Sequence, residues 1–134
     1  MEQAQAPEEP KKPLTQAEIR AIESHESRST FIETVAKAVL QDRNVAYGTP
    51  EDNFQTIADF WNLWLLKRTG IRINLSALDV SMMQDLVKTS RLSGNVTHLD
   101  SWVDKAGYSA CAGGLLVNAS NQIVKSAEAE VSNK

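Results

Sequence analysis

Four short helix-start signatures, beginning at Thr15, Thr49, Ser76 and Thr97, cut this chain into segments, and each is followed by apolar residues at helical spacing. Thr15-Gln-Ala-Glu18, Ser76-Ala-Leu-Asp79 and Thr97-His-Leu-Asp100 have the capping-box form. There the hydroxyl accepts from the amide three residues on, and the acid reaches back to the cap's own amide. Thr49 is followed by Pro50 and two acids, a residue suited to the first helical position and two charges that complement a helix N-terminus. Between these starts, Phe31, Ile32, Val35, Val39 and Leu40 predict a core-facing helix from Ser29 to about Arg43, preceded by a short helix after Thr15. Phe54, Ile57, Ala58, Trp61 and Leu65 predict the next, to about Arg68, with Gly70 ending it. Val80, Met82, Met83, Leu86, Val87 and Leu92 predict a third, and Trp102, Val103, Ala106, Gly107, Ala110 and Gly114 a fourth. Ile71–Leu75 alternates like a strand but has no second strand to pair with, so it reads as a connector. The expected fold is all-α, a compact bundle of about four main helices with a flexible N-terminal arm and a polar C-terminal tail.

Composition sets the outer limits. A chain of 134 residues with 42% hydrophobic content is one domain's worth and can bury a core. Residues 1–14 hold Pro7, Pro10 and Pro13 among Glu, Gln and Lys, a disordered-arm composition, and 118–134 is polar and small, leaving 15–117 as a single all-α domain. With 14 basic and 17 acidic residues there is no basic block to neutralise a run of phosphates, so an extended nucleic-acid surface is not expected. One small phosphorylated ligand needs only two or three local cations. The start of the chain lacks a signal-peptide pattern and the longest apolar cluster, Ile57–Leu66, is too short and interrupted to span a bilayer. The expected location is the cytoplasm, that of the host cell if the protein is phage-encoded. The single cysteine, Cys111, lies in a run of small residues and reads as packing.

The residues that could carry chemistry converge on the last two helices. At 100° per residue Asp100, Asp104, Gly107, Cys111 and Gly114 share one sector, so two carboxylates and then only small side chains line a face that something can approach closely. Carboxylates four apart suit Mg²⁺, which completes its shell with water and phosphate oxygens. Capping and the helix dipole account equally well for both acids: Asp100 as the third residue of the Thr97 cap, Asp104 as a first-turn acid. On the preceding helix, Asp79 could add a carboxylate or simply complete the Ser76 cap. Lys88 and Arg91 could hold phosphate oxygens, or Lys88 could pair locally with Asp85. Tyr47 and Asn53 flank Gly48, where a ring and an amide could read a base, or Tyr47 could staple the helix entry. No glycine-rich phosphate loop, Ser-His-Asp arrangement or paired CxxC motif is present.

The run Tyr47-Gly-Thr-Pro-Glu-Asp-Asn53-Phe, then Trp61, Asp79-Val, Met82-Met83, Lys88-Thr-Ser-Arg91-Leu and Asp100-Ser-Trp-Val-Asp104-Lys-Ala-Gly107-Tyr108 resembles a small helical domain family of unknown function found in phages and prophages. The resemblance covers a core of about 43–114. That family is in turn similar to the MazG-like and nucleotide-modification-associated all-α proteins. The more distant likeness implies a Mg²⁺-dependent pyrophosphohydrolase acting on nucleoside triphosphates through acids on antiparallel helices. Asp100 and Asp104 resemble one of its acidic motifs, whereas the EExxE motif expected on the preceding helix is missing.

The resulting expectation is a phage-type nucleotide-handling protein that binds or hydrolyses a (deoxy)nucleoside triphosphate with Mg. Asp100 and Asp104 would be catalytic and, with Asp79, metal-binding; Lys88, Arg91, Asn53 and Tyr47 would bind the substrate. The alternative is a non-enzymatic interaction protein, an oligomeric phage accessory, anti-defence or virion-associated factor with a host or phage partner. Under either, a homo-oligomer is expected, with the Gly107, Cys111, Gly114 face permitting close helix approach.

Overall fold

The computed structural model describes residues 12–40 and 48–133. Within them lie four α-helices and no strand: α1 (Gln16–Leu40), α2 (Pro50–Thr69), α3 (Ala77–Gly94) and α4 (Leu99–Ser132). The all-α expectation holds. The chain divides into two units, residues 1–30 and 31–134.

In the first unit the Thr15 box forms as expected. Glu18 accepts from the Thr15 amide at 2.7 Å, and the Glu18 amide donates to the Thr15 hydroxyl at 3.3 Å. The two helices expected between Thr15 and Arg43 are one helix of 25 residues. The reason is local. Nothing between Ser24 and Thr30 is Gly or Pro, and the Ser27 and Thr30 hydroxyls donate back to the Glu23 and Glu26 carbonyls instead of capping a new helix.

The second unit is built on α2, α3 and α4. Thr49 caps α2, accepting from the Asp52 amide at 3.2 Å, and Gly70 closes it at φ 72, a left-handed conformation that carries a Cβ penalty for other residues. The core is a cluster of Phe54, Ala58, Ala77 and Val80, with Ile57, Trp61, Leu75, Tyr108, Cys111 and Leu115 packed around it. Ala58 and Val80 are fully enclosed. The 71–75 stretch is a connector, and its end is held by one side chain: Asn62 donates to the Leu75 carbonyl at 3.0 Å and accepts from the Leu75 amide at 2.7 Å. A partner strand's hydrogen bonds are thus supplied by an amide.

The Ser76–Asp79 capping box is present on both sides. The start of α4 differs from expectation. Its cap is His98, whose Nδ1 accepts from the Ser101 amide at 3.3 Å, while the Thr97 hydroxyl donates to Asn95. Asp100 therefore falls at the second helical position and closes no box. The helix also runs far past Gly114, to 34 residues. Leu115, packed on the core, carries it across Gly113 and Gly114, and Ala119, Gln122, Lys125, Ala127, Glu128 and Ala129 are all good helix formers.

Two outcomes follow for stability. Val80→Ala should cost roughly 2 kcal/mol in chemical denaturation, since it empties space at an enclosed site. Asp79 is held below the usual carboxylate range, first by the Ser76 amide and then by its hydroxyl. Its stabilisation is complete above the unfolded carboxylate pKa and is lost as pH falls through the lowered folded value. Acid titration of melting temperature should accordingly be shallower below pH ~4 in Asp79→Ala than in the parent; parallel curves would refute this.

Candidate ligand cavity

The cavity is positioned by the seam between α3 and α4. Three contacts fix an antiparallel register, with α4 numbers falling as α3 numbers rise. The Ser81 hydroxyl donates to the Tyr108 carbonyl at 2.7 Å, Lys105 meets Asp85 at 2.7 Å, and Lys88 meets Asp104 at 2.6 Å. Ser81 and Ser101 are buried, small enough to let the two backbones close up, and their hydroxyls are satisfied by Tyr108 and His98. Lys105 also donates to Thr89 at 2.6 Å. The Lys88 and Asp104 side chains are only 12% and 13% exposed, so their attraction acts in a medium well below the dielectric of water. The local Asp85–Lys88 pairing suggested by their spacing does not form. Both residues instead reach across to α4, because Asp104 and Lys105 stand opposite them.

Beside this seam lies a cavity of about 310 Å³. Val39 from the end of α1, Asn53 and Phe54 from the first turn of α2, Gln84 from α3, and Asp104 and Tyr108 from α4 all line it. The Phe54 and Tyr108 rings meet at 6.1 Å between centroids, tilted by 46°. The wall is thus apolar and aromatic, interrupted by two amides and one carboxylate. That is the make-up of a small-molecule pocket, in which few polar groups orient a ligand held mainly by apolar contact.

Of the residues expected to act together, Asn53 and Asp104 line the cavity and Lys88 is bound to Asp104. Arg91 is exposed in the last turn of α3. Asp79 lies at the opposite end of α3, engaged with Ser76. Asp100 is exposed and borders a separate shallow depression with Thr34 and Lys37. Tyr47 lies outside the described residues. The three acids Asp79, Asp100 and Asp104 do not come together: among the described residues no three His, Cys, Asp or Glu side chains converge as a metal site would require. Sequence reasoning missed Val39, Phe54 and Gln84, whose helical periodicity marks them as packing or surface positions. Only the fold brings them to one space.

The small-residue face of α4 is approached closely, but by the chain itself. A Cβ at Gly107 would meet Val39 Cγ2 at 3.4 Å, and one at Gly114 would meet the Glu51 carboxylate at 3.8 Å. Cys111, between them, is half-buried against the cavity. Among the described residues no helix is long and apolar enough to cross a membrane.

A family model described as a domain of unknown function, DUF6378, matches residues 30–116. The Gene 55 protein of Mycobacterium phage D29 is 33% identical over 82 residues, which is 61% of this chain and 50% of that protein. The chain thus spans about half the length of the curated relative it matches. No solved structure matches.

Removing Asp104 strands the Lys88 ammonium in a mostly enclosed place. Asp104→Leu should therefore destabilise by roughly 2–4 kcal/mol in urea unfolding, and Lys88→Met with Asp104→Leu should recover much of that loss. A single variant within about 0.5 kcal/mol of the parent would show the pair to be dispensable.

Proposed function

The chain belongs to the phage-associated DUF6378 family, a family of unknown function, and from that premise we propose that it binds a nucleotide in the cavity between Asn53, Gln84 and Tyr108. The observation that carries this reading is the lining itself. Two amides can pair with the edge of a base, while Phe54 and Tyr108 supply aromatic surface to its face. At about 310 Å³ the cavity is at the small end of ligand pockets, of a size for a base and its sugar with the phosphates emerging from the mouth.

At the phosphate end, Lys88 lies one helical turn beyond Gln84 and Arg91 three residues further along α3. Lys88 and Asp104 already neutralise each other. A magnesium–phosphate unit arriving there would replace that pair by two others, carboxylate to metal and ammonium to phosphate, with no charge left uncompensated. Asp100, four residues before Asp104 on α4, is the second carboxylate within helical reach. Binding without turnover is the reading best supported, because neither the EExxE motif nor a third converging carboxylate is present among the described residues. On this reading the protein would share with MazG-like proteins the class of ligand and not the hydrolysis. Such a protein would work in the cytoplasm of the infected cell, where its ligand is.

The test is a thermal-shift panel of nucleoside mono- and triphosphates with and without Mg²⁺. A ligand at a hundred times its Kd should add about 2.7 kcal/mol and raise the melting temperature by several degrees. Asn53→Ala and Gln84→Ala, both on the cavity wall, should abolish the shift while leaving the unliganded transition within about 1 kcal/mol of the parent. Absence of a shift with every nucleotide, at millimolar concentration, would sink the proposal.

A further inference from the structure

The second half of α4 leaves the rest of the protein behind. From Leu116 to Asn133 every residue is exposed, including Leu116 at 57%, Val117 at 60%, Ile123 at 71%, Val124 at 55% and Val131 at 75%. The family match ends at residue 116, where this extension begins.

The exposed apolar residues are ordered. Val117, Val124 and Val131 recur every seven residues, Leu116 and Ile123 stand beside the first two, and Ser120 and Ala127 fill the positions three after Val117 and Val124. At 100° per residue these seven side chains fall in one arc of about 120°. Asn118, Asn121, Gln122, Lys125, Ser126, Glu128, Glu130 and Ser132 occupy the remainder. The arc lies roughly opposite the face that α4 turns inward earlier, where Val103, Asp104, Gly107, Tyr108 and Cys111 meet the core and cavity. No straight continuation of α4 can bring it against the protein's own core. An isolated helix of this length is only marginally stable in water, so its order calls for a second surface.

We propose that this arc pairs with the same arc of a second copy of the chain, forming a two-stranded coil that makes the protein a homodimer. Val117, Val124 and Val131 keep the seven-residue period that holds one seam against a partner helix, and Leu116 and Ile123 widen it. Ser120 and Ala127 are small enough to let two helices come close. The five large apolar side chains expose on the order of 500 Å² per copy, so a symmetric pair that covers them fully removes about 1,000 Å² from water, the threshold for a specific interface. The few charges on the helix, Lys125, Glu128 and Glu130, all lie outside the arc. This interface is independent of the cavity, and either can fail without the other. It also differs from the Gly107, Cys111, Gly114 face read from the sequence, which Val39 and Glu51 of the same chain already approach.

The experiment is light scattering on the full-length chain across a dilution series, with Val117→Glu/Val124→Glu and Ser126→Glu as variants. The parent should weigh twice the chain mass at tens of micromolar. The double variant should weigh one chain, its dissociation constant raised at least about 100-fold, while Ser126→Glu, on the polar side, should remain dimeric. Tryptophan emission and a cooperative melt in the double variant establish that the core around Trp61 is still folded. A monomeric parent, a dimer that survives both glutamates, or a mass of three or four copies overturns the proposal. A monomeric parent that sediments with anionic phospholipid vesicles also overturns it and assigns the arc to a membrane surface.

Discussion

Charge placed inside the α3–α4 seam is tolerable only because each ionised group meets an opposite one across it. Lys88 and Asp104, and Asp85 and Lys105, form two reciprocal pairs in which each helix contributes one cation and one anion. Sliding α3 along α4 by one helical turn would break both pairs and separate the Ser81 hydroxyl from the Tyr108 carbonyl. Apolar packing alone tolerates small slips. Two crossed ion pairs and a buried hydrogen bond do not, since each misplacement leaves a desolvated polar group unmatched. The seam therefore sets register as well as adhesion.

From that register the cavity follows. With α3 and α4 locked, Gln84, Asp104 and Tyr108 are fixed on one side, and α2 lays Phe54 and Ala58 against Val80 on the other. The gap closes at the end of α1, where Val39 rests against Gly107. A Cβ at position 107 would just touch Val39, so the Gly107 side of α4 is a wall against the end of α1 rather than a free surface.

The same helix has two opposite apolar sides in succession. Through Leu115 its inward side is occupied by its own fold; from Leu116 onward the apolar residues move to the outer side. A helix that served only its own domain would need no such change of face. The switch occurs where the family match stops, so the part shared with relatives and the part with an uncovered arc are contiguous but separate in construction.

Local chemistry was legible in the residues alone. The all-α class, the Ser76–Asp79 box, the Thr49 cap and the Gly70 terminator depend on hydrogen bonds spanning three or four residues, and short spacings in the sequence specify them. The limits of such reading were also local: His98, not Thr97, caps α4, because the competing Asn95 side chain takes the Thr97 hydroxyl. Tertiary structure decided which charges are partners. Asp85 and Lys88 have the spacing of a pair on one helix, yet each finds its partner on α4, at 20 and 16 residues' remove in the chain. It also held Asp79 in the Ser76 cap at the far end of α3 from Lys88 and Asp104, and assembled Val39, Asn53, Gln84 and Tyr108 around one space. Helical periodicity states which residues share a side of one helix. Which helix stands opposite, and at what register, depends on side chains meeting across a gap, and only the folded packing supplies that.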